Sequence, residues 1–200
     1  MSAGTDNPWT TLGSELKYDN PWIRVVEHQV LTPKKTPGIY GTVHFKNLAT
    51  GVIPIDAEGC TYLVGQYRYA LGAYSWEMPE GGGKQGVPVL ESVQRELLEE
   101  TGFTAGNWLE LMRLHLSNSV SDEVATCFLA WDLTPGPSSP DDSEELALRR
   151  LPFRDAAAMV WAGEITDAMS VAAIQRLELM LRRGSAPAAV AEAIGPLADW

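Results

Sequence analysis

Cysteine is scarce: Cys60 and Cys127 are the two in 200 residues, they stand far apart, and they match neither a zinc nor a redox spacing. A disulfide scaffold and a zinc ribbon are thereby excluded. Long apolar runs are missing too, since none approaches the roughly 18 residues that a membrane-crossing helix needs. The opening MSAGTDNPWTTLGSEL has neither the basic nor the apolar stretch of a secretory leader. The expectation is a cytoplasmic protein with no membrane partner. Positive charge is short as well, with 15 Lys plus Arg against 26 Asp plus Glu and a net charge of −11. Such a surface repels nucleic-acid backbones, so no nucleic-acid partner is expected. A phosphate ligand would need placed arginines or a divalent cation between itself and the chain. What remains, 45% hydrophobic and 20% charged, is the composition of an ordinary globular chain able to bury its own core.

Short β-branched and aromatic runs alternate with turn residues over 20–69, at 22–31, 39–46, 52–55 and 62–69, the pattern of antiparallel strands and hairpins. Residues 1–47 are read as a small N-terminal β-subdomain ahead of a main domain over 48–200. After the glycine loop Gly81-Gly82-Gly83, residues 88–101 carry Leu90, Val93, Leu97 and Leu98 at helical spacing, and Gly102 stops the helix. Further strands are read at 107–115, 125–133 and 146–151, helices at 152–162 and 167–183, and the Ala- and Pro-rich 186–200 as a short helix packed on the surface or on a partner subunit. The polar insertion at 134–145 reads either as a mobile lid or as a solvated loop. Strands on both sides of a central helix, then two more helices, imply mixed α/β layers.

On a helix of about 100° per residue, Glu96, Glu99 and Glu100 fall within one arc, and Leu90, Val93 and Leu97 occupy the adjoining one. Carboxylates crowded at the edge of a buried face repel one another and need a counter-charge. Arg95 supplies one. The rest is either an exposed acidic face or a set of hard oxygen ligands for Mg²⁺ or Mn²⁺.

The run Arg95-Glu96-Leu97-Leu98-Glu99-Glu100-Thr101-Gly102-Phe103 resembles the second half of the Nudix hydrolase signature, with Gly81 at the distance of its opening glycine. One element departs, because Val87 stands where the signature has its first glutamate, a strut for the box arginine. Glu91, one turn before Arg95, is the expected replacement.

Resemblance extends to Asn20-Pro21-Trp22-Ile23-Arg24-Val25, to Gly65-Gln66-Tyr67-Arg68-Tyr69 and to Trp76-Glu77-Met78-Pro79-Glu80-Gly81-Gly82, which look like the ADP-ribose and nucleoside-diphosphate-sugar pyrophosphatase branch. That branch implies an α+β fold, a Nudix α/β/α sandwich with a mixed central sheet and a small N-terminal antiparallel β-subdomain. It also implies a homodimer in which the subdomains help build each other's sites. The implied reaction is hydrolysis of the pyrophosphate link of a nucleoside diphosphate sugar, with Mg²⁺ or Mn²⁺ as cofactor.

The resemblance assigns Glu96, Glu99, Glu100 and the backbone carbonyl of Glu80 to the metal, and Arg68 to substrate phosphate, where a salt bridge is the rival role. It puts the general base in the 134–145 loop, with Glu144 preferred over Glu145 and Asp142; Glu99 and Glu100 complete the catalytic set. Ser121-Asp122-Glu123 is similar to a branch motif and makes Glu123 a substrate or metal contact. Trp22 is a candidate for stacking on a base, against packing in a hairpin core. Two departures bear on specificity: Glu80 replaces the usual alanine, and Leu116-Ser117-Asn118-Ser119-Val120 lacks the usual proline turn. His28, His44 and His115 are expected to be structural, Trp76 and Met78 to pack, and both cysteines to be buried thiols. Rival classes are an inactive nucleotide-sugar binding module with the same fold, and a hydrolase of dinucleoside polyphosphates.

Overall fold

The computed structural model describes residues 6–136 and 146–196. Contacts divide the chain into two compact units, one of Met1–Asn47 with His115–Glu123, the other of Leu48–Leu114 with Val124–Trp200. The first holds three antiparallel strands in the order β1 (Thr10–Asp19), β2 (Ile23–Leu31) and β3 (Pro37–Phe45). Lys35, at φ 62°, turns the chain between β2 and β3. The short segment before Val124 docks on β3, where Tyr40 Oη donates to the Ser119 carbonyl and Phe45 N donates to Asp122 Oδ1 at 3.0 Å. Each of two histidines has polar partners: His28 lies between Ser14 and Thr42, and His44 between Thr42 and Asp122.

The second unit holds two sheets. One is β10 (Ala147–Pro152), β5 (Cys60–Arg68) and β6 (Ala73–Glu77), all antiparallel. The other runs in the order β7 (Glu80–Lys84), β4 (Asn47–Ile55), β9 (Val124–Pro135), β8 (Phe103–His115), with β4 and β9 parallel. Among the described residues four helices follow in chain order: α1 (Val89–Thr101), α2 (Phe153–Trp161), α3 (Ala168–Arg182) and α4 (Ala188–Ile194). Strand alternation sends Val52, Phe128 and Ala130 to one side of the mixed sheet, where Val93 and Leu97 of α1 close a core. Gly51, the neighbour of Val52, faces the other side, where an added Cβ would lie 3.3 Å from Met169 Cε of α3. Helices on both faces of a mixed sheet are the α/β/α layers expected. Among the described residues, no helix is long and apolar enough to cross a membrane.

Some expectations give way. The glycine loop is strand β7, and Thr10–Asp19, outside the strands read from the sequence, forms β1, exposed at nearly every position, Leu12, Leu16 and Tyr18 included. Leu90 is 37% exposed and lies off the buried face of α1, whose start is set by Pro88. Gly102, at φ 72°, does end α1, its N–H bonded to Leu98 O.

The turn joining β4 to β5 is organised by Asp56. Its Oδ1 accepts from Glu58 N at 2.9 Å and Cys60 N at 3.0 Å, and its Oδ2 accepts from Tyr62 Oη at 3.2 Å and Arg150 Nε at 2.7 Å. Burial pushes this carboxyl up, but Arg150 and the two backbone N–H groups outweigh it and hold it below the usual carboxylate range. Asp56→Ala strands those donors and is expected to cost about 2 kcal/mol in urea unfolding. A lowered folded pKa means that this contribution is fully present above the unfolded carboxyl value of about 3.9. The gap to wild type therefore shrinks as pH falls through the lowered value.

Candidate active site

Burial of Val93 and Leu97 fixes how α1 rotates, and that rotation carries Glu96 and Glu100 inward to 8% and 7% exposure. Glu99, half-buried, lies beside them. Arg95 ties the group to the glycine strand: its guanidinium donates to Glu96 Oε1 at 2.6 Å, to Glu99 Oε2 at 2.5 Å and to the Gly82 carbonyl at 3.1 Å. These pairs, with Glu96 and Glu99, take the place expected for Glu91, which is exposed. Glu100 Oε2 accepts from Glu80 N at 3.0 Å, so α1 reads the backbone of β7 directly. Gly81 makes this approach possible, because a Cβ there would sit 2.3 Å from Glu96 Cδ.

A second cluster adjoins the first through Glu80. Arg68, at the end of β5, donates through Nε to both oxygens of Glu77 at 3.0 Å, again to Glu77 through Nη2, and to Glu80 Oε1 at 3.0 Å. Asp167 caps α3, accepting from Ser170 N at 2.7 Å, while the Ser170 hydroxyl accepts from Met78 N at 2.9 Å. These bonds anchor the β6–β7 connection to α3. Glu77, Glu80 and Asp167 each present a carboxylate oxygen within 4.8 Å of the others. Burial pushes the Glu80 carboxyl well above its usual range, Asp167 and Glu77 push it further, and Arg68 opposes them. Burial likewise raises the Cys127 thiol to about 12, with Glu80 and Asp167 adding to the shift. Cys127 is therefore a protonated packing group rather than a nucleophile.

Buried carboxylates held on glycine backbone, with Arg95 and Arg68 as the nearby counter-charges, form a hard-oxygen donor set that suits a divalent cation.

The second unit thus brings together Glu80, Glu96, Glu99, Glu100 and Arg68 from the expected site. Arg68 is engaged by two carboxylates, the salt-bridge role weighed against phosphate contact. Trp22 and Glu123 belong to the first unit. Trp22 is 65% exposed in the bend just before β2, so it is not a hairpin-core residue. Glu123 is half-buried, and burial, then Asp122, pushes its carboxyl up. Glu144, like Asp142 and Glu145, lies outside the described residues. Sequence reasoning missed Glu77 and Asp167. The first sat inside a recognised motif without a role; the second showed as the polar residue opening a helix, which is the signal of an N-cap.

Comparison with known proteins places this geometry in context. The NUDIX domain model matches residues 46–169, and a model described as the nucleoside diphosphate sugar hydrolase N-terminal domain matches residues 9–43. The ADP-ribose pyrophosphatase of Mycobacterium tuberculosis is 30% identical over 129 residues, which is 63% of this chain and 62% of that protein's length. The ADP-ribose pyrophosphatase of Bacillus subtilis is 31% identical over 133 residues, 66% of this chain and 72% of that one. A crystal structure of an ADP compounds hydrolase shares the fold at a TM-score of 0.81 and 22% identity, covering 92% of this chain and 100% of the other.

Proposed function

The chain belongs to the Nudix family, and on that premise we propose that it hydrolyses the pyrophosphate bond of nucleoside diphosphate sugars, ADP-ribose or a similar compound. The products are a nucleoside monophosphate and a sugar phosphate. The observation that carries the reading is the pair of buried carboxylates, Glu96 and Glu100, held against the glycine backbone of β7. Glu96, Glu99, Glu100 and the carbonyl of Glu80 hold Mg²⁺, with Mn²⁺ as a substitute. When bound, the cation neutralises pyrophosphate oxygens and lowers the pKa of a coordinated water.

The chain's own groups do the rest. Arg95 keeps Glu96 and Glu99 in place and ties them to Gly82. Arg68, oriented by Glu77 and Glu80, offers its remaining donor capacity to a substrate phosphate. Glu144 serves as general base, and Trp22 and Glu123 contact substrate. The three-stranded sheet of 1–47 is the dimerisation element of a homodimer, and the enzyme works in the cytoplasm. Names of relatives support the substrate class: two are ADP-ribose pyrophosphatases.

A panel of ADP-ribose, ADP-glucose, GDP-mannose and UDP-glucose, with phosphatase added to release phosphate from the products, tests the substrate class. EDTA-sensitive release with at least one sugar, ADP-ribose foremost, is expected. No release from any of them contradicts the proposal and favours a polyphosphate substrate or a binding module.

A further inference from the structure

We propose that the side chains of Glu77, Glu80 and Asp167 form a second divalent-cation site, additional to the one on the glutamates of α1. Three carboxylates from three places, the end of β6, the start of β7 and the cap of α3, converge until an oxygen of each lies within 4.8 Å of the others. Arg68 is the one guanidinium bonded to them among the described residues, and its contacts are already distributed: Glu77 takes Nε and Nη2, and Glu80 Oε1 takes Nη2. One positive charge therefore faces three carboxylates.

The second observation is independent of the count. Glu80 Oε2 is buried and has no hydrogen-bond partner among the described residues. A buried carboxylate oxygen without a donor bears its full desolvation cost, and native structures almost always supply a partner of some kind. A divalent cation supplies what is missing, with the charge to match. Carboxylate oxygens select a hard ion of the Mg²⁺, Mn²⁺ or Ca²⁺ class over softer metals. Glu80 then acts twice, its backbone N–H donating to Glu100 of α1 and its side chain joining this group.

The test counts ions and needs no turnover, so its failure is distinct from a failure of the hydrolase reading. Mn²⁺ binding to the full chain is measured by electron paramagnetic resonance of the free ion, for wild type, Asp167→Asn, Glu80→Gln and Glu96→Gln. Asparagine keeps an oxygen for Ser170 N and is as good a helix cap as aspartate, so α3 keeps its start. Glu80→Gln is the independent second variant. Asp167→Asn and Glu80→Gln are each expected to bind one Mn²⁺ fewer per chain, or to bind it at least tenfold more weakly. Glu96→Gln is expected to keep that ion. Identical Mn²⁺ isotherms for wild type, Asp167→Asn and Glu80→Gln overturn the site and leave a proton on Glu80 as the counter-charge.

Discussion

Glu100→Gln is expected to lower kcat by about 10²- to 10³-fold, or about 3–4 kcal/mol of transition-state stabilisation, with little change in thermal stability. Two features separate the effects. Glu100 Oε2 accepts the Glu80 N–H, and the amide oxygen of glutamine accepts it equally well, so the link between α1 and β7 survives. What disappears is a buried negative charge in the proposed ligand set. Loss of that charge weakens cation binding, so part of the lost rate returns at high Mg²⁺. Steady-state kinetics across a Mg²⁺ series beside a melting curve checks both halves. Undiminished turnover would remove Glu100 from the ligand set.

The second large effect comes from a single methyl group. Gly81→Ala places a Cβ 2.3 Å from Glu96 Cδ and about as close to both carboxylate oxygens, at 2.4 and 2.5 Å. Real Cβ atoms do not come that close, so something moves. The atoms in the way are the end of a flexible side chain, not backbone, and Glu96 swings aside at small cost to stability. The price falls on chemistry, because the displaced group is a proposed ligand and leaves its contact with Arg95. A fall in kcat of about 10²-fold is expected, with a melting temperature close to wild type. Contrast Gly59, at φ 72° with its Cβ position 2.3 Å from the Ala193 carbonyl oxygen. Alanine there meets backbone and a left-handed conformation, so stability falls instead. Measured together, the two variants separate a glycine required by the site from one required by the fold.

The contrast also explains what was legible in the sequence. Helix α1 showed itself through Val93, Leu97 and Gly102, since core contact and an αL stop each have a local signature. The glutamates followed, because their placement on α1 is fixed by helical period. Strand β7 did not, since Glu80-Gly81-Gly82-Gly83-Lys84 has the composition of a loop; what makes it a strand is its place beside β4 in the mixed sheet. Strand β1 hid for another reason: Gly13 and Ser14 interrupt the alternation of Leu12, Leu16 and Tyr18 with polar residues, and all three apolar side chains stay exposed. The partners of Arg68 and Glu80 depend on register between β5 and β6 and on the docking of α3. No local pattern encodes either, so Glu77 and Asp167 emerged only in three dimensions. Val87 directed attention to Glu91 as the strut for Arg95, whereas the arginine turns to Glu96, Glu99 and the Gly82 carbonyl.

The most direct test of the central claim, that the α1 carboxylates support metal-dependent pyrophosphate cleavage, is phosphorus NMR of ADP-ribose incubated with the purified chain. With Mg²⁺ present, the two diphosphate signals should give way to two phosphomonoester signals, those of a nucleoside monophosphate and a sugar phosphate. EDTA should leave the diphosphate intact. Cleavage that persists in EDTA, or a diphosphate left untouched in Mg²⁺ and Mn²⁺ alike for ADP-ribose and for ADP-glucose, GDP-mannose and UDP-glucose in its place, would contradict the account.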